Sequence, residues 1–184
     1  LHAGHGRGAC FGDSVARLLE RCGHPVTREF YVNDRGAQMR LFAASLGALA
    51  DGANVPEAGY QGAYLADWAT EMPPGSDPLE WGRERALADQ RTVLESLGIE
   101  FDLWFSERSM VESEAVDDTL ADLQLAGATY EAQGALWLRS SDQGDDKDRV
   151  LVKSDGEYTY LLPDIAYHRD KFSRAPRLVN VWGA

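Results

Sequence analysis

Leu1-His2-Ala3-Gly4-His5-Gly6-Arg7-Gly8 is the stretch whose reading decides the fold. A helical pattern begins directly behind it. Phe11, Val15, Leu18, Leu19 and Cys22 recur on one stripe at helical spacing and predict a helix over about 5–22, ended by Gly23 as a C′ residue. A loop that runs straight into a helix N-terminus is a natural anion site, because free backbone N–H groups and the positive dipole end point the same way. Imidazoles at His2 and His5 can donate to a phosphate that gains charge in a transition state. Gly4 removes a side chain where a nucleotide must come close. Histidines near a helix start serve equally well as caps or solvated surface, so the remaining sequence has to decide between the two.

Gly4, Gly8 and Gly12 recur every four residues along this helix. Each costs about 1 kcal/mol relative to alanine, which implies that a strand or a flat ligand packs close on that side. Pro25 then opens a β-rich run over 26–32, giving the second half of a βαβ unit whose first strand is expected before Leu1. Asn33 and Asp34 read as caps of a helix over about 37–50, with Met39, Phe42, Leu46 and Leu49 facing inward. Asn33, Asp34, Gly36 and Gln38 also form a polar cluster at the carboxyl end of the strand, where α/β sheets bind ligands.

Residues 51–78 are broken up, with a short helix through Trp68 and a loop at Pro73-Pro74-Gly75-Ser76-Asp77-Pro78. A long helix is predicted over about 79–97, stopped by Gly98, and alternation from Ile99 to Phe105 predicts a strand. An acidic helix follows over 113–126 with Val116, Leu120 and Leu123 inward; its uncompensated carboxylates read as a solvated face. Short strands are expected at 129–132, 135–139, 149–153 and 158–162, with turns at Gly134 and Ser154-Asp155-Gly156. The acidic loop 142–148 lacks EF-hand spacing. Pro163 is placed at the first position of a last helix reaching about Phe172, and 178–182 is expected as a final strand. The pattern is an α/β fold: a Rossmann-like parallel-sheet nucleotide-binding core interrupted by a helical and β-hairpin insertion.

Composition bounds the function. With 184 residues and 44% hydrophobic content, the chain suffices for one globular domain. The absence of an initial methionine and the ending on Val181-Trp182-Gly183-Ala184 suggest that both ends are cut from something longer. Eighteen basic against thirty acidic residues give a net charge of −12, so bulk charge does not attract nucleic acid and phosphate chemistry must be local. Cys10 and Cys22, if on one helix, stand roughly 18 Å apart, which excludes a disulfide and a single zinc site with His2, His5 and His24. They are expected as buried thiols, and no protein-bound metal is expected. No run reaches the length of a membrane span, and no signal peptide is visible.

His2-Ala3-Gly4-His5 resembles the His-x-Gly-His signature of class I aminoacyl-tRNA synthetases. More specifically, the chain resembles the catalytic domain of arginyl-tRNA synthetases through an ordered set of segments. These are Phe30-Tyr31-Val32-Asn33-Asp34-Arg35-Gly36-Ala37-Gln38, Tyr60-Gln61-Gly62-Ala63-Tyr64, Phe101 to Glu107, Gly144 to Gly156, and Tyr158-Thr159-Tyr160-Leu161-Leu162-Pro163-Asp164-Ile165-Ala166. The family's serine-alanine-asparagine stretch before the signature is absent, and its Lys-Met-Ser-Lys-Ser loop and anticodon-reading helical domain are expected beyond Ala184. On this resemblance, residues 1–52 are the first half of the nucleotide-binding core, about 106–148 the insertion and about 149–184 the return to the core.

The resemblance implies ATP-dependent activation of L-arginine and its transfer to tRNA(Arg), in the cytoplasm, with Mg2+ accompanying ATP. Family members typically need bound tRNA for the first step. His2 and His5 are implied as the catalytic histidines at the ATP phosphates, with Gly4 and Gly8 lining the nucleotide site and Asn33, Asp34 and Gln38 in support. Asp164 is implied as the carboxylate for the substrate guanidinium and Tyr160 as the aromatic wall beside it. The residues alone also allow Asp164 to be an acid in a first helical turn and Tyr160 to be strand core. Two other functions compete: a nucleotidylyltransferase of the same superfamily, and a non-catalytic nucleotide-binding or regulatory remnant of a synthetase. The isolated stretch is expected to be inactive.

Overall fold

A computed structural model describes residues 3–182, so His2 lies outside the described residues. The chain divides into two compact units, one running to Glu107 and including Val181, the other Arg108–Asn180.

The first unit opens with α1 (Ala3–Arg21), followed by β1 (Glu29–Val32), α2 (Gly36–Ala50), α3 (Ala63–Glu71), α4 (Pro78–Ser96) and β2 (Leu103–Ser106). The strands β1 and β2 pair in parallel, Glu29 opposite Leu103 and Val32 opposite Ser106. The pairing is aromatic: Phe30 stacks on its partner Trp104 at 4.5 Å, and Tyr31 on its partner Phe105 at 6.0 Å. This parallel pair flanked by helices is the expected α/β class. Pairing begins only at residue 29, because Arg28 closes the strands' entry: its carbonyl accepts from the N–H groups of Asp102 and Leu103, and its N–H donates to the Asp102 carboxylate.

Behind the strands, α2, α3 and α4 bury Phe42, Leu46, Leu65, Trp68 and Ala69 in one cluster, joined by Met39, Leu49, Tyr60, Met72 and Trp81. Leu46 and Leu65 are wholly buried. A Cβ at Gly82 would stand 2.7 Å from a Phe42 ring carbon and 2.8 Å from Leu46 Cδ2, so α4 can approach α2 only because residue 82 has no side chain.

The apolar stripe of α1 is only partly covered: Phe11 and Leu18 are largely exposed and Ala16 is the buried residue of the helix. Polar contacts fasten it instead. Arg17 reaches the Gly98 carbonyl at 2.7 Å, and Arg28 binds Asp13 at 3.1 Å and Glu20 at 2.6 Å. The glycine ladder is not demanded by close packing there: a Cβ at Gly8 or Gly12 would meet the Val181 side chain only at ordinary contact, 4.0 and 3.5 Å. Gly23, at φ +85°, closes the helix with the paired bonds of a Schellman motif, Gly23 N–H to Glu20 and His24 N–H to Leu19.

The second unit contains most of α5 (Glu107–Glu112), then α6 (Ala115–Leu125), β3 (Thr129–Ala132), β4 (Ala135–Leu138), β5 (Arg149–Val152) and α7 (Leu161–Arg174). The acidic helix expected over 113–126 therefore starts late, behind Glu114 in the left-handed region at φ 61°. The strands form an antiparallel sheet in the order β3-β4-β5, with a bulge at Leu136/Trp137. Gln133 and Gly134 have φ 56° and 74°, the two positive values that a two-residue type I′ hairpin demands.

Two expected strands do not form. Over 158–162 there is only a bridge between Val152 and Tyr158, and Leu161 already begins α7. Pro163 is thus the third residue of α7; no N–H in the first turn has an intrahelical acceptor, so proline costs nothing there. Residues 178–182 are irregular. Their β-prone composition needs a neighbouring strand to become one, and none is hydrogen-bonded to them among the described residues.

Candidate functional site

In the first unit, the carboxyl ends of the parallel pair carry the polar groups. Asp34 lies two residues beyond β1 and is only 3% exposed. Burial of a carboxylate requires partners. Ser106, the last residue of β2, donates its hydroxyl to Asp34 Oδ2 at 2.7 Å, and Arg83 Nη1 on α4 stands 3.6 Å from the same oxygen. Arg83 also binds Glu80 at 3.2 Å, while its Nε is buried with no hydrogen-bond partner. Glu107 follows directly; burial pushes its carboxyl above the ordinary range, and Arg35 at 4.0 Å acts against that rise.

Asp34 is not the N-cap residue of α2. Arg35 occupies that position and makes no side-chain cap bond, while the Asp34 carboxylate is bound by Ser106 and Arg83. Its neighbour Asn33 is exposed. Gln38 is exposed as well and accepts from the Tyr60 hydroxyl at 2.9 Å. The Tyr60 N–H donates to Ser45 Oγ at 3.0 Å, so the Tyr60-Gln61-Gly62-Ala63-Tyr64 segment is pinned to α2 at two points.

His5 is exposed in the first turn of α1, whose backbone N–H groups have no intrahelical acceptor and whose first turn holds no acidic side chain. Gly4 and Gly8 lie on the same helix, half-buried. This end of α1 has the polarity an anion selects.

In the second unit, Tyr160 occupies the N-cap position of α7 and is 95% exposed, not strand core. With Thr159, Leu161 and Arg149 it lines an open depression of about 510 Å³. Arg149 there is held by Asp145 and Asp146, each at 2.7 Å; the bond from Arg149, and then hydrogen bonding with Asp146, hold the Asp145 carboxyl far below its ordinary range. Asp164 lies in the first turn of α7, its side chain more than half exposed. His168 Nδ1, one turn further on, is 3.3 Å from Asp164 Oδ1 and 2.9 Å from the Asp164 carbonyl oxygen.

Sequence reasoning missed Ser106, Arg83 and His168. Nothing local marks Arg83, which is 49 residues from Asp34 and meets it only through the packing of α4. His168 carried a legible signal, its i,i+4 spacing from Asp164. Among the described residues, no group of three His, Cys, Asp or Glu gathers that could hold a metal ion.

Known proteins resemble this chain throughout. The family model "tRNA synthetases class I (R), catalytic domain" matches residues 1–61. The arginine–tRNA ligase 1 of Halalkalibacterium halodurans is 42% identical over 204 residues, covering all of this chain and 37% of the relative. A solved structure from Campylobacter jejuni assigned to arginyl-tRNA synthetase superposes with a TM-score of 0.82 at 37% identity, covering 95% of this chain and 42% of that one. The Thermus thermophilus arginyl-tRNA synthetase superposes with a TM-score of 0.68 at 25% identity, covering 100% and 36%. This chain spans about 37% of the length of the curated relatives it matches. With similarity running along its whole length, from the His-x-Gly-His signature through the segment holding Tyr160 and Asp164, the chain resembles the class I arginyl-tRNA synthetases.

Proposed function

We propose that this chain is the catalytic segment of an arginine–tRNA ligase. The observation that carries the reading is the identity of about 42% to arginine–tRNA ligases across the entire chain. In the first step an arginine carboxylate oxygen attacks the α-phosphorus of ATP, and pyrophosphate leaves. In the second a ribose hydroxyl of tRNA(Arg) attacks the arginyl carbonyl, and AMP leaves. Positioning and charge stabilisation dominate such transfers. In this reading His2 and His5, with Gly4 and Gly8 beside them, meet the ATP phosphates at the start of α1. Asn33, Asp34 and Gln38 support that edge, and Mg2+ arrives with ATP. Asp164 receives the substrate guanidinium and Tyr160 covers it. The compartment proposed is the cytoplasm; no helix among the described residues is long and apolar enough to cross a membrane.

The decisive experiment is Asp164→Asn in the full-length protein. The amide keeps the shape, loses the charge and turns an NH₂ toward the guanidinium donors. Breaking a hydrogen-bonded charge pair that becomes buried on binding costs about 3–5 kcal/mol, so arginine activation falls by at least about a hundredfold. ATP affinity stays put, and discrimination against citrulline, which has arginine's length but no charge, drops. Unchanged arginine kinetics with a lowered melting temperature would make Asp164 a structural residue. Residues 1–184 alone should show no pyrophosphate exchange; measurable exchange would overturn the reading of this chain as one segment of the machinery.

A further inference from the structure

Three side chains follow one another along α7 at positions i, i+4 and i+7: Asp164, His168 and Lys171. They are joined. His168 Nδ1 faces the Asp164 carboxylate at 3.3 Å and its carbonyl at 2.9 Å. His168 Nε2 faces Lys171 Nζ at 3.3 Å and Asn180 Nδ2 at 3.4 Å. Lys171 is 9% exposed, donates to Asn180 Oδ1 at 2.8 Å and rests over the Tyr167 ring at 4.2 Å.

These contacts fix which imidazole nitrogen carries the proton. A lysine ammonium can only donate, so the Asn180 atom it touches must be the carbonyl oxygen. The Asn180 amide nitrogen is then the atom turned to His168. Nε2 therefore meets two donors and must accept, which leaves the ring hydrogen on Nδ1, pointing at Asp164. A ring in the other tautomer would put a lone pair against the carboxylate and a hydrogen against an ammonium. With Nε2 accepting, the ring is neutral. Its N–H donates to the Asp164 carbonyl at 2.9 Å and, from there, faces the carboxylate at 3.3 Å, without placing a second cation where the substrate guanidinium is to bind. A carboxylate has about four lone-pair positions, so a bidentate guanidinium can bind while the imidazole N–H, bonded to the carbonyl, stays beside one carboxylate oxygen.

We propose that His168 is a positioning residue for arginine recognition: held in its Nδ1–H tautomer by Lys171 and Asn180, it orients the Asp164 carboxylate toward the substrate guanidinium. The inference rests on the reading of Asp164 given above. Neither Lys171 nor Asn180 touches the substrate in this scheme; they act through the ring.

Pyrophosphate exchange in the full-length protein, with arginine and ATP varied separately and tRNA present, tests it. His168→Ala raises the KM for arginine about tenfold and leaves the KM for ATP unchanged. His168→Asn, whose amide nitrogen sits near the Nδ1 position, restores the arginine KM to within about threefold of wild type, while His168→Gln, whose donor lies out at the Nε2 position, does not. Lys171→Met frees the tautomer and moves the arginine KM in the same direction. In an Asp164→Asn background the His168 substitutions have no further effect, because the ring works through that carboxylate. A purely structural role for His168 would lower the melting temperature without dividing the two KM values, and would make Asn and Gln equivalent. Equal arginine KM in wild type and His168→Ala overturns the proposal; if His168→Ala does not fold, equal KM in His168→Asn and His168→Gln does so. Loss of arginine activation in Asp164→Asn beside a silent His168 sinks this inference alone, whereas a silent Asp164→Asn sinks the site assignment beneath it.

Discussion

The Ser106 hydroxyl donates a 2.7 Å hydrogen bond to the Asp34 carboxylate across 72 residues of chain, tying the carboxyl end of β2 to the residues just past β1. The acceptor is a buried acid, and Arg83 contributes a second contact at 3.6 Å. Ser106→Ala removes a donor from a carboxylate that water does not reach. The loss should cost about 1–3 kcal/mol, read as a lower urea midpoint at unchanged slope. A midpoint equal to wild type would show that the remaining contacts carry Asp34 without the serine.

Gly82 should tolerate no side chain. A methyl there meets Phe42 at 2.7 Å and Leu46 at 2.8 Å, both in the core of the first unit. Gly82→Ala improves the intrinsic helix propensity of α4 by about 1 kcal/mol, yet the core must shift to admit it, at about 1–3 kcal/mol. Net destabilisation in a thermal melt is expected. A higher melting temperature would mean that α2 and α4 separate at little cost.

Acid should loosen α1. The Asp13 carboxyl is held below its ordinary 3.8, first by its bond to Arg17 and then by Arg28, with burial opposing; Arg28 likewise lowers Glu20. A carboxyl whose folded value is depressed contributes stability that is complete above its unfolded value and lost as pH falls through the folded one. The loss therefore lies below about pH 4 and deepens with further acidification. Melting temperature measured from pH 6 down to pH 2 should fall less steeply for Arg28→Met than for wild type, because the variant has already lost the bond that depresses Glu20 and one of those that depress Asp13. Parallel curves would place the acid sensitivity elsewhere.

For the histidines, kinetics in the full-length protein should separate chemistry from binding. In the reading proposed above, His2→Ala and His5→Ala each remove a donor for charge that develops on phosphate. The rate of arginine activation should fall on the order of 100- to 1,000-fold, with a smaller change in the KM for ATP. Equal rates in wild type and both variants would leave the signature a helix start and nothing more.

Much of this architecture is legible in the sequence where the signal is local. The helical stripes of α2 and α4, the stops at Gly23 and Gly98, and the hairpin at Gly134 rest on periodicity and on glycine at positive φ, both written in neighbouring residues. Misreadings came where the outcome depends on a distant partner. Asp34 has the composition of a cap but is claimed by Ser106 and Arg83. Residues 178–182 have strand composition, yet a strand is defined by its neighbour. Phe11 and Leu18 mark an apolar face without saying what covers it. In the candidate site, the His-x-Gly-His spacing marks His5, whereas Tyr160 and Asp164 are implied only by the family resemblance. The orientation of the imidazole at 168 needed the positions of Lys171 and Asn180, which only folding supplies.

The sequence suggested buried thiols, but Cys10 and Cys22 are both exposed, on and at the end of the helix that carries His5. A surface thiol is open to oxidation and alkylation in a way a buried one is not. Purified without reductant, the protein should cross-link between molecules, since roughly 18 Å of helix keeps the two sulfurs from joining within one. The same exposure supplies native handles for spectroscopic labels on α1. A nitroxide or fluorophore at Cys10 stands between one and two helical turns from His5, so probe mobility there reports on the helix start directly, with no cysteine introduced by mutation.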